Sequence, residues 1–220
     1  MLEERISQIK SEIIFYGKFI ENMIDKSIKG LLQKNKEMLM EVIEIDEAKA
    51  NEIESEIEEL LISSIAQYEP RAKNLRIIIM ALKINNDLER IGDHAVNISE
   101  SGIYLIERPQ VKPLLDIPRM AEEAKKVLID CIESFITENV ELARSVCERD
   151  NVIDDLKSQI IRELVTYISA NPDTIERSFH LMRIANNLER IADLSTNISE
   201  DVIFIVDGVN IKHHRLEDNQ

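Results

Sequence analysis

Residues 88–105 read LERIGDHAVNISESGIYL, and residues 188–205 read LERIADLSTNISEDVIFI. The two stretches align without a gap at an offset of 100, and 10 of the 18 positions are identical. Each copy carries an apolar stripe: Ile84, Leu88, Ile91, Ala95 and Ile98 in the first, Ile184, Leu188, Ile191, Ser195 and Ile198 in the second. Alternating steps of four and three put these residues on one face of an α-helix, the face that packs on a core. On the same wheel Glu89, Asp93, Asn97 and Glu100 fall roughly opposite the stripe, and Glu189, Asp193, Asn197 and Glu200 repeat them. A carboxylate stripe is therefore written twice, on a face that packing does not require.

Outward from these copies the helical pattern continues. Ile6, Ile9, Ile13, Tyr16, Ile20, Met23, Ile24 and Ile28 keep helical spacing, which predicts a first helix from Leu2 to about Leu32 and a turn near Asn35. A second helix is expected over about Glu37–Gln67, with Leu39, Val42, Ile43, Ile53, Ile57, Leu60 and Leu61 inward. It ends before Pro70, which disfavours helix in the residue ahead of it and can open the next one. The third helix then runs to about Glu107. Prolines 109, 113 and 118 mark residues 108–118 as non-helical, the boundary between two halves. A fourth helix is expected from Arg119 to Thr137, a turn at Glu138-Asn139, and a fifth helix over about Val140–Ser169. Asn171-Pro172 reads as a cap followed by a first-turn proline, opening a sixth helix to about Val206, with Gly208 as its stop.

The expected fold is thus all-α, two tandem three-helix bundles related by internal pseudo-symmetry. The first repeat spans residues 1–108, a proline-rich linker 109–118, the second repeat 119–208, and a polar tail 209–220. The middle helices match at an offset of 103, pairing Glu47 with Asp150 and Asn51 with Asp154. Antiparallel packing could bring Asp150 and Asp154 beside Glu189 and Asp193.

Composition agrees: five glycines, five prolines, 4% aromatics and 31% charged residues belong to long helices, with few turn residues for a sheet. The formal net charge of −15 opposes binding to a phosphate backbone and excludes nucleic acid as the expected partner. Cys131 and Cys147 form no metal-like spacing and read as reduced thiols. The opening MLEERISQIKSE is charged where a signal peptide is apolar, and no apolar run approaches a membrane span of about 20 residues. A soluble, cytoplasmic protein without a transmembrane segment is expected.

Like charges one turn apart repel by a few tenths of a kcal/mol per pair, roughly, and Glu89/Asp93, Glu189/Asp193 and Asp150/Asp154 all carry that cost. Such pairs can share one hard cation or bridge two, and oxygen-only ligands suit Mg²⁺, Mn²⁺, Ca²⁺ or Fe³⁺. A solvated helix face explains one acidic stripe equally well, although solvation alone does not require the same exposed residues twice. Catalytic arrangements are missing: there is no inward Glu-x-x-His pair, no glycine-rich phosphate loop and no Ser/His/Asp set. His94 reads as a surface histidine, His180 belongs to no motif, and His213 and His214 lie in the tail. The expectation is a protein that is not an enzyme.

The runs LERIGDHAVNISE and LERIADLSTNISE, in two three-helix halves of a chain this long, resemble the PhoU family of phosphate-signalling regulators. The resemblance covers nearly the whole chain, including the inter-half prolines and Ile211-Lys212-His213. It implies a negative regulator of phosphate uptake and phosphate-starvation signalling, an adaptor between the ATPase subunit of the phosphate-specific ABC transporter and a phosphate-sensing histidine kinase. It also implies that E/DxxxD motifs on outer helix faces hold a divalent or trivalent metal cation, iron first, then manganese or magnesium. Carried over by position, the ligands would be Glu89, Asp93, Glu189, Asp193, Asp150 and Asp154, with Glu47 weaker because Asn51 breaks the motif. The first-half site is accordingly expected to be the lesser one. A metal-storage protein and a metal-free interaction scaffold are the alternatives, and the sequence does not fix the oligomeric state, a homodimer included.

Overall fold

The computed structural model of the chain describes residues 2–207. The main helices are α1 (Leu2–Gln33), α2 (Lys36–Glu41), α3 (Glu47–Tyr68), α4 (Ala72–Ile106), α5 (Asp116–Thr137), α6 (Val140–Ala170) and α7 (Ile175–Asp207), and the described residues contain no strand. A π-helical turn, Val42–Asp46, joins α2 to α3, and a 3₁₀ turn, Pro172–Thr174, leads into α7.

Helices α1, α3 and α4 pack together as one bundle, and α5, α6 and α7 as the other. The expected stripes are the packed faces. Ile84, Leu88, Ile91, Ala95 and Ile98 are fully buried, and so are Ile184, Leu188, Ile191 and Ser195, with Ile198 scarcely exposed. Ser195 takes the place of Ala95 by donating its hydroxyl to Ile191 O at 2.8 Å, which satisfies a polar atom in an apolar layer.

The halves are not beads on a string. Their buried side chains form one continuous core, because α4 packs on α7 and α1 on α5. Along the first seam Tyr104 Oη donates to Glu176 Oε2 (2.6 Å), His94 Nδ1 lies 2.8 Å from Asn187 Oδ1, and Lys83 Nζ donates to Asp201 Oδ2 (3.2 Å). As residue numbers rise in α4 they fall in α7, so the repeated helices run antiparallel. On the α1–α5 seam Lys10 donates to Ile136 O (2.9 Å) and Lys125 to Asp25 Oδ1 (3.0 Å).

The corner between the first two helices of each half is built the same way twice. Lys34 (φ 53°) and Glu138 (φ 55°) adopt the left-handed conformation that ends a helix. The next residues, Asn35 and Asn139, accept side-chain hydrogen bonds from Met38 N and Leu142 N, both at 3.1 Å, satisfying an amide that otherwise has no partner at a helix start.

Several boundaries depart from the sequence reading. The expected second helix is interrupted by the π-helical turn. Asn35 and Asn139 stand 104 positions apart, but Glu47 and Asp150 stand 103 apart, so the first half holds one extra residue between them. A π turn absorbs one residue without breaking the helix. Pro70 does not open the third helix: α4 starts at Ala72 with Arg71 as its cap, and Pro70 is buried ahead of it. The fourth helix begins at Asp116 rather than Arg119, with Pro118 inside its first turn, where a missing N–H costs nothing. In the linker Lys112 is buried and held by Asp116 (2.9 Å) and by Glu163 of α6. Asn171 caps the 3₁₀ turn as expected, accepting from Asp173 N at 3.2 Å. Gly208 and the tail histidines lie outside the described residues.

Candidate functional site

The carboxylate stripes do not sit squarely opposite the core. Asp93 and Glu100 are exposed, but Glu89 and Glu189 are half-buried, Glu89 under the influence of Glu54 of α3 and Glu189 bonded to Lys157 of α6. Each acidic face is therefore shared between two helices, and a wheel drawn for a single helix could not name its neighbours.

In the second half, Asp193 feels Glu189, Asp150 and Asp154. Burial first, then Glu189 and Asp150, raise its pKa above the ordinary carboxylate value; Arg190 opposes this and Asp154 adds to it. Antiparallel packing of α6 on α7 thus brings the expected ligands into one electrostatic neighbourhood. Two cations share it. Lys157, one turn beyond Asp154 on α6, donates to Glu189 Oε1 at 2.9 Å, and Arg190 donates to Asp193 Oδ2 at 3.2 Å.

The first half contains a carboxylate the sequence reading passed over. Asn85 of α4 donates to the backbone oxygen of Glu54 at 2.9 Å, which holds this turn of α3 against α4, one turn before Glu89. Burial, then Asp93 and Glu54, raise the pKa of Glu89, with Arg90 in partial opposition. Among the described residues Glu54, Glu89 and Asp93 make no ion pair. Glu47 is half-buried at the start of α3, directly after the π turn.

Tyr16 completes the first-half face. It is fully buried on α1, and its hydroxyl has no hydrogen-bond partner. Gly92 brings α1 close to α4, since a Cβ there would stand 3.1 Å from Ile20 Cδ1. Tyr16, one turn before Ile20, therefore lies against the turn of α4 that carries Glu89. Burial first, then Glu89, Glu54 and Asp93, push the phenol pKa well above its ordinary value. The helical pattern had assigned Tyr16 to the core, and nothing in the pattern distinguished its hydroxyl. Glu54 was legible only as a charge reversal against Lys157 in the offset-103 alignment.

Among the described residues no three acidic, histidine or cysteine side chains converge closely enough to hold an ion. The donor set itself, several carboxylates and a phenol, suits a hard cation, and both Glu89 and Asp193 sit where added positive charge relieves repulsion.

The histidines belong elsewhere. His94 is not a plain surface residue, because it is half-buried against Asn187 in the α4–α7 seam. His180 stacks on Tyr104 with ring centroids 3.8 Å apart, and burial, then Arg183 and Arg108, lower its pKa against the pull of Glu176. Cys131 and Cys147 are unpaired, and burial raises the Cys147 thiol pKa to about 11, far from a reactive thiolate.

Comparison with known proteins follows the duplication. A family model, the PhoU domain, matches residues 13–102 and again 117–202. A protein of Aquifex aeolicus named "Phosphate-specific transport system accessory protein PhoU homolog" is 38% identical over 99% of this chain and 98% of its own. One of the corresponding proteins of Thermotoga maritima is 33% identical over 94% of this chain and 88% of its own. The crystal structure of PhoU from Pseudomonas aeruginosa superposes with a TM-score of 0.89 at 28% identity, covering 95% of this chain and all of that one.

Proposed function

The chain belongs to the PhoU family, and from that premise we propose that it is a cytoplasmic negative regulator of phosphate uptake and phosphate-starvation signalling. The observation that carries this reading is the full-length match, through both halves, to accessory proteins of a phosphate-specific transport system. The matched relatives are accessory proteins rather than enzymes. No described helix is long and apolar enough to cross a membrane, so a role in transport runs through contact with a transporter. The ATPase subunit of the phosphate ABC transporter and a phosphate-sensing histidine kinase are the proposed partners.

A chain of net charge −15 is a poor direct receptor for phosphate. The reading therefore has phosphate status reach the protein second-hand, through a partner or a bound cation. In this proposal Glu89 and Asp93, with Glu47, and Glu189 and Asp193, with Asp150 and Asp154, are the cation-binding carboxylates, iron being favoured over manganese or magnesium. A bound cation supplies positive charge to an acidic docking face. Side-chain rotation would have to gather the carboxylates, because they do not converge as they stand.

The test is co-purification from cells grown in high and in low phosphate, beside deletion of the gene. The transporter ATPase, the kinase or both should be recovered, more strongly in high phosphate, and deletion should switch on starvation genes in rich medium. Recovery of neither partner, with those genes silent after deletion, would overturn the reading.

A further inference from the structure

The seam between α4 and α7 finishes differently at its two ends. The offset of 100 that relates these helices pairs Arg76 with Glu176, Ile79 with Phe179, Met80 with His180, Lys83 with Arg183 and Tyr104 with Phe204. Antiparallel packing puts one set at each end, roughly 35 Å apart at about 1.5 Å per residue. Where α4 ends and α7 begins, the chain covers its own surface. Tyr104 stacks on His180 and its hydroxyl donates to Glu176 at 2.6 Å. The Arg108 guanidinium lies 3.6 Å from the centre of the Tyr104 ring, and Arg177 donates to Pro109 O at 2.7 Å, which holds the outgoing chain against α7.

The opposite end is open. Arg76, Ile79, Met80 and Lys83 of α4, with Asp201 and Phe204 of α7, line an apolar groove. Ile79 is 45% exposed and Phe204 43%. Phe204 lacks the hydroxyl that ties Tyr104 to Glu176, and Arg76 replaces that acceptor in the repeat. Lys83 bridges the seam to Asp201 at 3.2 Å, as Arg183 does to Glu100 at 3.0 Å. Arg76 makes no hydrogen bond or ion pair among the described residues. A guanidinium and an ammonium, set against one carboxylate, thus rim exposed apolar side chains on a chain of net charge −15. Such a groove complements a segment whose apolar side chain enters it while flanking carboxylates meet the rim.

We propose that Arg76, Ile79, Met80, Lys83 and Phe204 form a docking socket for an acidic protein segment with a protruding apolar side chain, carried by the ATPase subunit of the transporter. This rests on the reading of the chain as an adaptor to that subunit. The transporter is favoured over the kinase because the matched relatives are accessory proteins of a transport system. The apolar groove supplies the anchor and the rim cations set orientation and encounter rate. The counterpart around Phe179 and Tyr104 does not take the segment, because Glu176 replaces the guanidinium and Arg108 already covers the ring. One chain therefore offers one such socket, although its fold is duplicated.

The test is calorimetric titration of the full chain with the purified ATPase subunit and, separately, with the cytoplasmic part of the kinase. Ile79→Asp should weaken ATPase binding by about tenfold or more at low and at high salt. Arg76→Glu should weaken it by about tenfold at low salt and by less at high salt, where rim charges are screened. Phe179→Asp, at the covered end, should leave it unchanged. All three side chains are exposed, and thermal melting checks that each variant folds. ATPase binding that survives both Ile79→Asp and Arg76→Glu, or that Phe179→Asp weakens equally, would overturn the inference and leave the adaptor reading intact. So would loss of kinase binding alone, or loss of self-association alone, which would give the groove to the kinase or to a second copy of the chain. No binding of either partner by the wild type would overturn the adaptor reading as well.

Discussion

The two halves share a backbone plan and a core pattern but solve the same electrostatic positions with opposite signs. In the first half Lys26 of α1 donates to Asp46 of the π turn at 2.9 Å. In the second, Arg149 of α6 pairs with Asp130 of α5, at positions that correspond to Asp46 and Lys26 within the one-residue drift of the repeat. The bridge has been kept and its polarity reversed. Glu54 and Lys157 show the same freedom, with a different result: there one half keeps a pair and the other gathers carboxylates. Core residues in a repeat are held by volume, where even one methylene is felt. A charge on a partly buried face is held only by its partner, so a pair can invert, or lose its cation, without disturbing the helices beneath.

The largest effects test whether the halves share one core. Ile91→Ala and Ile191→Ala each remove a fully buried side chain and should each cost about 2–5 kcal/mol. Denaturant unfolding should stay a single transition for both. Two transitions, each moved by only one variant, would show that the halves unfold separately and that the contacts of α4 with α7 are secondary.

Next comes the inverted bridge. Asp46 is buried, and Lys26→Met strands its carboxylate, costing on the order of 2–3 kcal/mol, less than a fully buried pair because the ammonium is partly exposed. Asp130→Asn acts on a more open pair and should cost about 1 kcal/mol or less. Equal losses would mean that the π turn gives Asp46 no special enclosure. Smaller again are the duplicated caps: Asn35→Ala and Asn139→Ala should each lower stability by about 1 kcal/mol, equally in the two halves.

The smallest effects sharpen the comparison of the acidic faces. In metal-free buffer Glu89→Gln should raise Tm slightly, because it removes a carboxylate crowded by Asp93 and Glu54. Glu189→Gln should lower it or leave it unchanged, because it removes the partner of Lys157. The pH dependence has the corresponding sign. The folded-state pKa of Glu89 lies above its ordinary 4.5, so its ionisation disfavours the folded state. Glu89 should therefore contribute a gain in stability as pH falls from neutrality through that raised pKa toward 4.5, and Glu89→Gln should remove that share while the like contribution of Asp193 stays.

Much of the molecule was legible in the sequence because packing writes a period. The 3.6-residue stripes gave the helices, the prolines gave the break between halves, and the repeated LERI segments gave the pseudo-symmetry. The π turn was hidden, since its only trace is a repeat offset that falls from 104 to 103. Pro118 was read as a helix breaker because only the observed start at Asp116 shows it in a first turn, where proline is harmless. The acidic faces were half legible: Glu89, Asp93, Glu189 and Asp193 recur on one helix, but Glu54 and Lys157 come from helices across the bundle. Tyr16 had the right period for the core, and its hydroxyl became informative only once it proved buried without a partner.

The most direct test is where a cation sits. Crystals of the full chain grown with Mn²⁺, and measured at wavelengths on either side of the manganese absorption edge, should show an anomalous peak on the acidic faces, beside Glu189 and Asp193, beside Glu89 and Asp93, or beside both. No peak on either acidic face would contradict the account.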